Sequence, residues 1–431
     1  MTTSTLYNLL QDSNIFLSGG AGVGKSYLTT KVIKEFENNE KKVVALGSTG
    51  ISAVNIGGFT LHSFFIFGIA SNLEELKLND RRNKERLREL KKILSEVDLI
   101  VIDEISMVSA NLFDMIYYRL DSLGFKGKLL VVGDFYQLPP IAKNEDKNRL
   151  FREDIYAFES SAWNKFEFKS IILNDVKRTN NKEFINILEQ IRKGVCSNEV
   201  VEYLTNLQKT SFIEEIEPTY LFGRNYEVEQ RNMQKLDMLD SSEALFFWSI
   251  TKKKEIDDRR LNSWSKTLPI VEMLHLKVGA PIIFTVNKWG KFVNGQRGVV
   301  VAFDEDSIIV RSKGRDIRVY EHDFELLELD SNTLETKVVA TITQFPLKLA
   351  YAITIHKSQG MSIEAMVCNL DYLFVPSQLY VAISRAIEPR LLRVDYSRGE
   401  FRDYLKRVIA SNEIVDNFYK ELENGDKSIF N

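Results

Sequence analysis

Eight consecutive residues, Gly19-Gly20-Ala21-Gly22-Val23-Gly24-Lys25-Ser26, carry the spacing G-x-x-x-x-G-K-[ST] between an apolar run and a helical pattern. A phosphate chain needs main-chain donors brought close and a cation at its far end. Glycines permit that approach, and the N-terminus of the following helix adds positive dipole. Lys25 has the reach for β- and γ-phosphates, and the Ser26 hydroxyl is of the type that coordinates Mg²⁺. A second apolar run, Val101-Ile102, ends in Asp103-Glu104. Two carboxylates at a buried strand end are costly without a cation. Asp103 is therefore expected to hold Mg²⁺, and Glu104 to polarise an attacking water. Gly133-Asp134-Phe135-Tyr136-Gln137-Leu138-Pro139-Pro140 follows another apolar run, which puts Gln137 where it could sense a γ-phosphate or orient water. Far along the chain, Arg178 and Arg385 are residues of a kind that neutralises transition-state charge, worth ~10³ to 10⁵ in rate when supplied to a phosphoryl group. From residue type alone, each is equally readable as a surface ion-pair arginine. The loop and the paired acids point to nucleoside-triphosphate hydrolysis.

The elements that must position these groups are legible as continuous apolar runs. Asn14-Ile15-Phe16-Leu17, Val43-Val44-Ala45-Leu46, Leu99-Ile100-Val101-Ile102 and Leu129-Leu130-Val131-Val132 lack the alternation of a one-sided sheet. Separated by helices, they predict parallel strands covered on both faces, a doubly wound α/β fold. Leu87, Leu90, Leu94 and Val97 recur at helical spacing in a basic stretch, which predicts an amphipathic helix. A second α/β pattern begins near Thr179, with strands at Thr219 to Phe222, Ala365 to Cys368 and Leu391 to Val394. Within it, 291–345 changes texture. Gly298 to Phe303, Ser307 to Arg311 and Asp316 to Tyr320 are short strands joined by tight turns, and they predict a small inserted antiparallel barrel. Phe401, Tyr404, Leu405, Val408 and Ile409 predict a closing helix.

Composition narrows the classes. The 431 residues are 44% hydrophobic and 27% charged, so the chain is globular rather than disordered. Two cysteines, Cys196 and Cys368, and four histidines leave no material for a disulfide framework or a zinc cluster. A net charge of −3 gives no whole-molecule attraction to nucleic acid, so any such partner must be argued from motifs. No apolar run reaches the ~18 to 20 residues of a membrane span, and Met1 to Asp12 shows no secretory signal pattern. The expectation is a cytoplasmic protein without a membrane partner.

The order of motifs resembles the Pif1-family helicases of superfamily 1B, which are related to the RecD-like helicases. After the phosphate loop come Ser48-Thr49-Gly50-Ile51-Ser52-Ala53 and Gly58-Phe59-Thr60-Leu61-His62-Ser63, then Asp103-Glu104 and the Gly133 to Pro140 string. Phe222-Gly223-Arg224-Asn225, Leu276 to Ala280, Val293-Asn294-Gly295 with Gly298, Thr354 to Met361 and Tyr380 to Ala386 complete the series. The resemblance runs from about Asn14 to Val394.

The resemblance implies two RecA-like parallel-sheet P-loop NTPase cores, 1–178 and then 179–290 with 346–431, and ATP in the cleft between them. It makes 291–345 an SH3-like barrel, and 64–90 the seat of a short wedge. It assigns Gly20, Gly22, Val23, Gly24, Lys25, Ser26 and Gly360 to the nucleotide, Ser26 and Asp103 to Mg²⁺, and Glu104 and Gln137 to hydrolysis. Arg178 and Arg385 become arginine fingers. Thr49, Thr60, His62 and Ser63 on the first core, and Asn225, Thr354, His356 and Lys357 on the second, match positions that touch single-stranded DNA. Phe64 and Phe65 are candidates for base stacking, or else core residues. Gln11 lies close to the strand start, so the adenine-reading role of the family's upstream glutamine is not assigned to it, and a strict choice of ATP over other nucleoside triphosphates does not follow. The implied activity is an ATP-dependent 5′-to-3′ DNA helicase acting in replication, recombination or repair on single strands and junctions, with G-quadruplexes or R-loops as further substrates. The rival readings are a single-strand translocase that displaces protein and unwinds weakly, and a nucleotide-switched DNA-binding accessory protein. A compact prokaryotic or phage form is expected, nucleoid-associated and monomeric without DNA.

Overall fold

A strand whose successive residues are all apolar must be covered on both sides, and the first sheet meets that demand. The computed structural model describes residues 1–140, 155–212, 217–253, 255–288, 290–330, 335–424 and 428–430. Of the expected domain ranges, 141–154 and 331–334 contain positions outside the described residues, as do 213–216, 254, 289, 425–427 and 431. By contacts the chain divides into two units. The first is Met1–Lys177 with Leu327–Lys337 and Asn412–Asn431; the second is Arg178–Leu326 with Val338–Ser411.

In the first unit, β1 (Ile15–Gly19), β2 (Val43–Gly47), β3 (Phe59–Thr60), β4 (Leu99–Asp103), β5 (Lys128–Gly133) and β6 (Lys169–Leu173) join one sheet with the strand Ser428–Phe430. The spatial order is Ser428–Phe430, β6, β1, β5, β4, β2, β3, and every neighbouring pair is parallel. Alternate residues go to opposite cores. Phe16, Ile100, Ile102, Leu129 and Val131 meet Phe113, Ile116 and Trp163 on one face. Ile15, Leu17, Leu99, Val101, Leu130 and Val132 meet Leu6, Leu10, Val32 and Phe36 on the other. Each such side chain contributes about 1.5–3 kcal/mol of burial.

The helix predicted from Leu87, Leu90, Leu94 and Val97 spans Lys84–Glu96 and buries Leu90, Ile93 and Leu94. Between β3 and this helix, Phe64, Phe65 and Phe67 are buried in the first core. Arg119, 1% exposed, binds both carboxylate oxygens of Asp80 at 2.8 and 2.9 Å and donates to the Phe65 carbonyl at 3.0 Å. That pairing pins the segment to the helix Ala110–Leu123.

The second unit has a four-strand parallel sheet in the order Ala352–Thr354, Thr219–Phe222, Met366–Asn369, Leu392–Asp395. Beside it in sequence, Arg315–Tyr320, Ser307–Ser312, Arg297–Phe303, Pro281–Phe284 and Leu347–Leu349 form a five-strand antiparallel sheet in that order. Its first three strands match the expected short strands, while Pro281–Phe284 and Leu347–Leu349 lie just outside 291–345. Cα hydrogen aside, Gly295 has no room for a side chain: it holds φ +83°, and an added Cβ would stand 3.0 Å from the Met361 Cβ.

The C-terminal stretch differs from the sequence reading, which placed all of 346–431 in the second unit. The expected closing helix is present as Phe401–Val408, in the second unit, with Tyr404 and Leu405 buried. A further helix, Glu413–Asn424, buries Val415 and Tyr419 in the first core, and Ser428–Phe430 pairs with β6. Apolar burial and an open strand edge draw this segment to the first sheet. Among the described residues, no helix is long and apolar enough to cross a membrane.

Candidate functional site

All strands of the first sheet run the same way, so their carboxyl ends share one edge. There the turns after β1, β4 and β5 come together, because β5 lies between the other two. Ligands of doubly wound sheets bind at such an edge, where strand order reverses.

The loop after β1 is shaped by its glycines. Gly24, at φ +92°, is the residue before the helix Lys25–Asn38. Val23 is buried and anchors the loop in the core, while Gly20 and Gly22 line its open side. The loop is tied down by the Lys177 N–H, which donates to the Gly22 carbonyl at 2.7 Å. Lys25 curls back over the loop and donates to the Gly19 and Gly20 carbonyls at 2.6 and 3.0 Å. Ser26 is exposed at the first turn of the helix.

Asp103 ends β4, and Glu104 follows in a left-handed conformation at φ +55°. The Glu104 N–H donates to Asp103 Oδ1 at 2.9 Å. Burial, and then the Glu104 carboxylate, push the Asp103 carboxyl up to about 7, against the opposing pull of that N–H and of Lys25. A carboxyl raised in this way beside a second acid suits a divalent cation, which would relieve both the burial and the repulsion. The Ser26 hydroxyl and Asp103 are the oxygen donors Mg²⁺ favours. Gln137 is buried in the turn after β5, its N–H donating to the Asp134 carbonyl at 2.8 Å.

Tyr419 was not singled out from the sequence. Its hydroxyl pairs with Ser18 Oγ at 2.7 Å, accepts from the Phe135 N–H at 3.1 Å and lies 3.4 Å from Asp134 Oδ1. One phenol thus joins the end of β1 to the turn that carries Gln137.

In the second unit the two arginines meet. Arg178 donates from Nε to Ser362 Oγ at 3.0 Å and from Nη1 to the Ser384 carbonyl at 2.6 Å. Arg385 is 2% exposed and donates to the Val381 carbonyl and Ser384 Oγ, each at 2.9 Å. Burial, and then the Arg385 charge, bring Arg178 down to about 9. Gly360, at φ +77°, ends the turn 355–360, two residues before Ser362. Like charges enclosed this closely favour an anion beside them.

Of the residues matched to DNA contacts, Thr49 and Thr60 cap helices at the carboxyl ends of β2 and β3. Thr49 forms a reciprocal capping box with Ser52, and Thr60 accepts from the Ser63 N–H at 3.3 Å. His62 is exposed beside them. In the second unit Thr354 and Phe222 are paired ends of parallel strands, and Asn225 opens the helix that follows. Thr354 is buried, and its hydroxyl accepts from the Lys357 N–H at 3.2 Å. Exposed Lys357 reaches Asn225 Oδ1 at 3.3 Å, and His356 is half-buried next to it. Phe64 and Phe65 take the core alternative, at 7% and 0% exposure. Gln11 donates to the Tyr7 carbonyl and accepts from Lys41, which precedes β2, away from the phosphate loop.

Comparison with known proteins bears on the family and the fold. Residues 4–202 match the family model described as PIF1-like helicase. A curated protein of Campylobacter jejuni, "ATP-dependent DNA helicase Pif1", is 44% identical over 96% of both chains. A crystal structure of Bacteroides sp. Pif1 in complex with ADP-AlF4 superposes with TM-score 0.83 at 28% identity, covering 99% of this chain and 97% of that one. Bacteroides Pif1 bound to single-stranded DNA gives TM-score 0.67 at 28% identity, covering 97% and 95%. The fold and the phosphate-loop edge define a P-loop nucleotide hydrolase built on two RecA-like cores. The chain belongs to the Pif1-like helicase family.

Proposed function

We propose that this protein is a motor which spends ATP to travel 5′ to 3′ along single-stranded DNA and to open the duplex ahead of it. The observation that carries the reading is the meeting of Lys25, Asp103, Glu104 and Gln137 at the carboxyl ends of three adjacent parallel strands. Gly20, Gly22, Val23 and Gly24 shape the cradle, and Lys25 leaves its loop carbonyls for the β- and γ-phosphates. Ser26 and Asp103 hold Mg²⁺, which supplies charge to the phosphate oxygens when bound. Glu104 accepts a proton from the attacking water, and Gln137 orients that water. Arg178 and Arg385 of the second core are the arginine fingers and Gly360 a nucleotide contact, the two guanidiniums stabilising the charge that develops on the transferred group. Support for the arginine role comes from their enclosure together without the exposure of an ordinary surface pair.

Thr49, Thr60, His62 and Ser63 on one core and Asn225, Thr354, His356 and Lys357 on the other hold the strand by its backbone. Hydroxyls, amides and a cation grip phosphates without selecting sequence. In this reading the first core runs to Lys177, so that Arg178 opens the second, 64–90 carries the wedge, and 291–345 is an SH3-like barrel inserted in the second core. The substrates are single strands and duplex junctions, with G-quadruplexes or R-loops among them, met in replication, recombination or repair. The protein works as a nucleoid-associated cytoplasmic protein that is monomeric in the absence of DNA.

The test is ATP hydrolysis with and without single-stranded DNA, alongside unwinding of 5′-tailed and 3′-tailed duplexes. Strong stimulation with unwinding of the 5′-tailed duplex alone is expected, and Lys25→Ala abolishes both. Normal turnover in Lys25→Ala would remove the site, and unwinding of the 3′-tailed duplex alone would reverse the direction.

A further inference from the structure

Within the second unit, a cavity of about 500 Å³ is lined from the helix Asn225–Asp237, from the antiparallel strands Pro281–Phe284, Arg297–Phe303 and Ser307–Ser312, and by Tyr351. Its charged lining is four cations, Lys235, Arg297, Arg311 and Lys313, against one carboxylate, Glu217. Three of the cations are committed. Lys235 stands 3.0 Å from Glu217, and Lys313 3.7 Å from Glu364. Arg311 donates from Nε and Nη2 to the two carboxylate oxygens of Asp316, at 2.8 and 3.1 Å. The fourth, Arg297, differs. Its Nε is buried and has no hydrogen-bond acceptor among the described residues. Burial brings its guanidinium down to about 10, against the pull of Glu217 and Glu364, so the group is still charged at neutral pH. The backbone that presents it is fixed, because Ser312 Oγ donates to the Arg297 carbonyl.

A buried donor of a charged group is costly to leave without an acceptor, and most such groups in folded proteins have one. This one lies on the wall of a cavity within the ~300–1,000 Å³ of ligand pockets. A guanidinium fork matches the oxygens of a phosphate. Tyr351 adds a second donor, since burial and then Glu217 push its phenol up to about 12 and keep the proton on it. The remaining wall includes Met238, Leu239 and Val299, which are apolar. An inorganic anion would leave that wall wet, and a neutral apolar molecule would leave the guanidinium unmet. Because the neighbouring cations are each held by a carboxylate, the wall offers one anion contact rather than the row that a nucleic-acid backbone needs.

We propose that this cavity binds a small phosphate monoester with an apolar or aromatic body, its phosphate held by Arg297 and Tyr351 and its body lying against Met238, Leu239 and Val299. The site shares no residue with the phosphate loop, which belongs to the first unit. Its lining comes from both sheets of the second unit and the helix between them in sequence, so an occupant braces those elements against one another.

The experiment titrates phenyl phosphate onto the full chain by ligand-detected NMR, with phenol and inorganic phosphate as the separate halves of the probe. Phenyl phosphate binds more tightly than either half. Arg297→Met, which keeps the apolar stem, weakens phenyl phosphate by about tenfold or more and leaves phenol unchanged, as loss of a charged hydrogen bond requires. Arg297→Lys keeps the charge without the fork and recovers only part of the affinity. Lys25→Ala, which disables the phosphate loop, leaves phenyl phosphate binding as it was. If Arg297→Met folds poorly, Tyr351→Phe carries the test, because it removes one hydroxyl and should still cost about threefold or more. Wild-type affinity in both Arg297→Met and Tyr351→Phe, or loss of binding in Lys25→Ala, would overturn the proposal. So would a wild-type chain that binds phenyl phosphate no better than phenol. Displacement of the probe by oligo-dT would assign the cavity to the DNA strand and overturn it as well.

Discussion

Lys348 lies on the strand Leu347–Leu349, and burial, followed by the charge of Lys357, brings its ammonium down to about 7. In an unfolded chain a lysine titrates near ~10.4, so between those values the unfolded state binds a proton that the native state does not. Stability of the second unit should therefore rise with pH from about 7 toward 10. Lys348→Met is expected to flatten that slope and to raise stability at pH 7, as read by denaturant unfolding across pH 6–10. An unchanged slope would mean that the ammonium is solvated and the repulsion absent. The arginine pair makes the complementary case, in which two like charges are kept near each other for use. Arg385→Ala is expected to retain affinity for single-stranded DNA while losing about 10³-fold or more of DNA-stimulated turnover. Arg385→Lys, which keeps the charge without the planar fork, should recover little of it. Equal losses of binding and turnover would make Arg385 a structural residue.

At the scale of elements, the helix Glu413–Asn424 matters more to the nucleotide edge than its place at the end of the chain suggests. The Tyr419 hydroxyl is shared by Ser18, Phe135 and Asp134. Tyr419→Phe keeps the ring stacked on Tyr136 but strips a buried hydroxyl from groups that have little access to water. The expected cost is about 1–3 kcal/mol in the stability of the first unit, together with a raised KM for ATP as the β1 end and the Gln137 turn lose their common tie. Unaltered KM and stability would show the hydroxyl to be dispensable. This tie also marks the limit of what the sequence discloses. The phosphate loop is legible because its chemistry is local: glycine spacing dictates backbone shape, and a continuous apolar run dictates a strand covered on both faces. Phe64, Phe65 and Phe374 look alike in the sequence, yet the first two are core and the third is 60% exposed. What separates them is the hold of buried Gln378 on the Phe374 N–H and the ring of His356, which only the folded chain assembles. That Glu413–Asn424 joins the first unit is not legible for a similar reason, since apolar residues in a terminal stretch do not say which core they meet.

Over the whole molecule, 57 basic residues against 60 acidic ones leave a net charge of −3, so a polyanion gains nothing from the overall field. Affinity for DNA must then arise locally, and the residues proposed for it differ in kind. Lys357 is exposed and cationic, whereas Thr354 is buried and serves the turn. Salt separates them. Each phosphate neutralised on a single strand contributes a slope of about −0.7 to log affinity against log salt. Lys357→Ala is expected to make that slope shallower by about 0.7, so that its penalty is largest at low salt and shrinks as salt rises. The check is a salt titration of oligo-dT binding for the wild type and the variant. Parallel lines for Lys357→Ala would show that its ammonium serves Asn225 rather than a phosphate, and the grip on the second core would have to be sought in other cations.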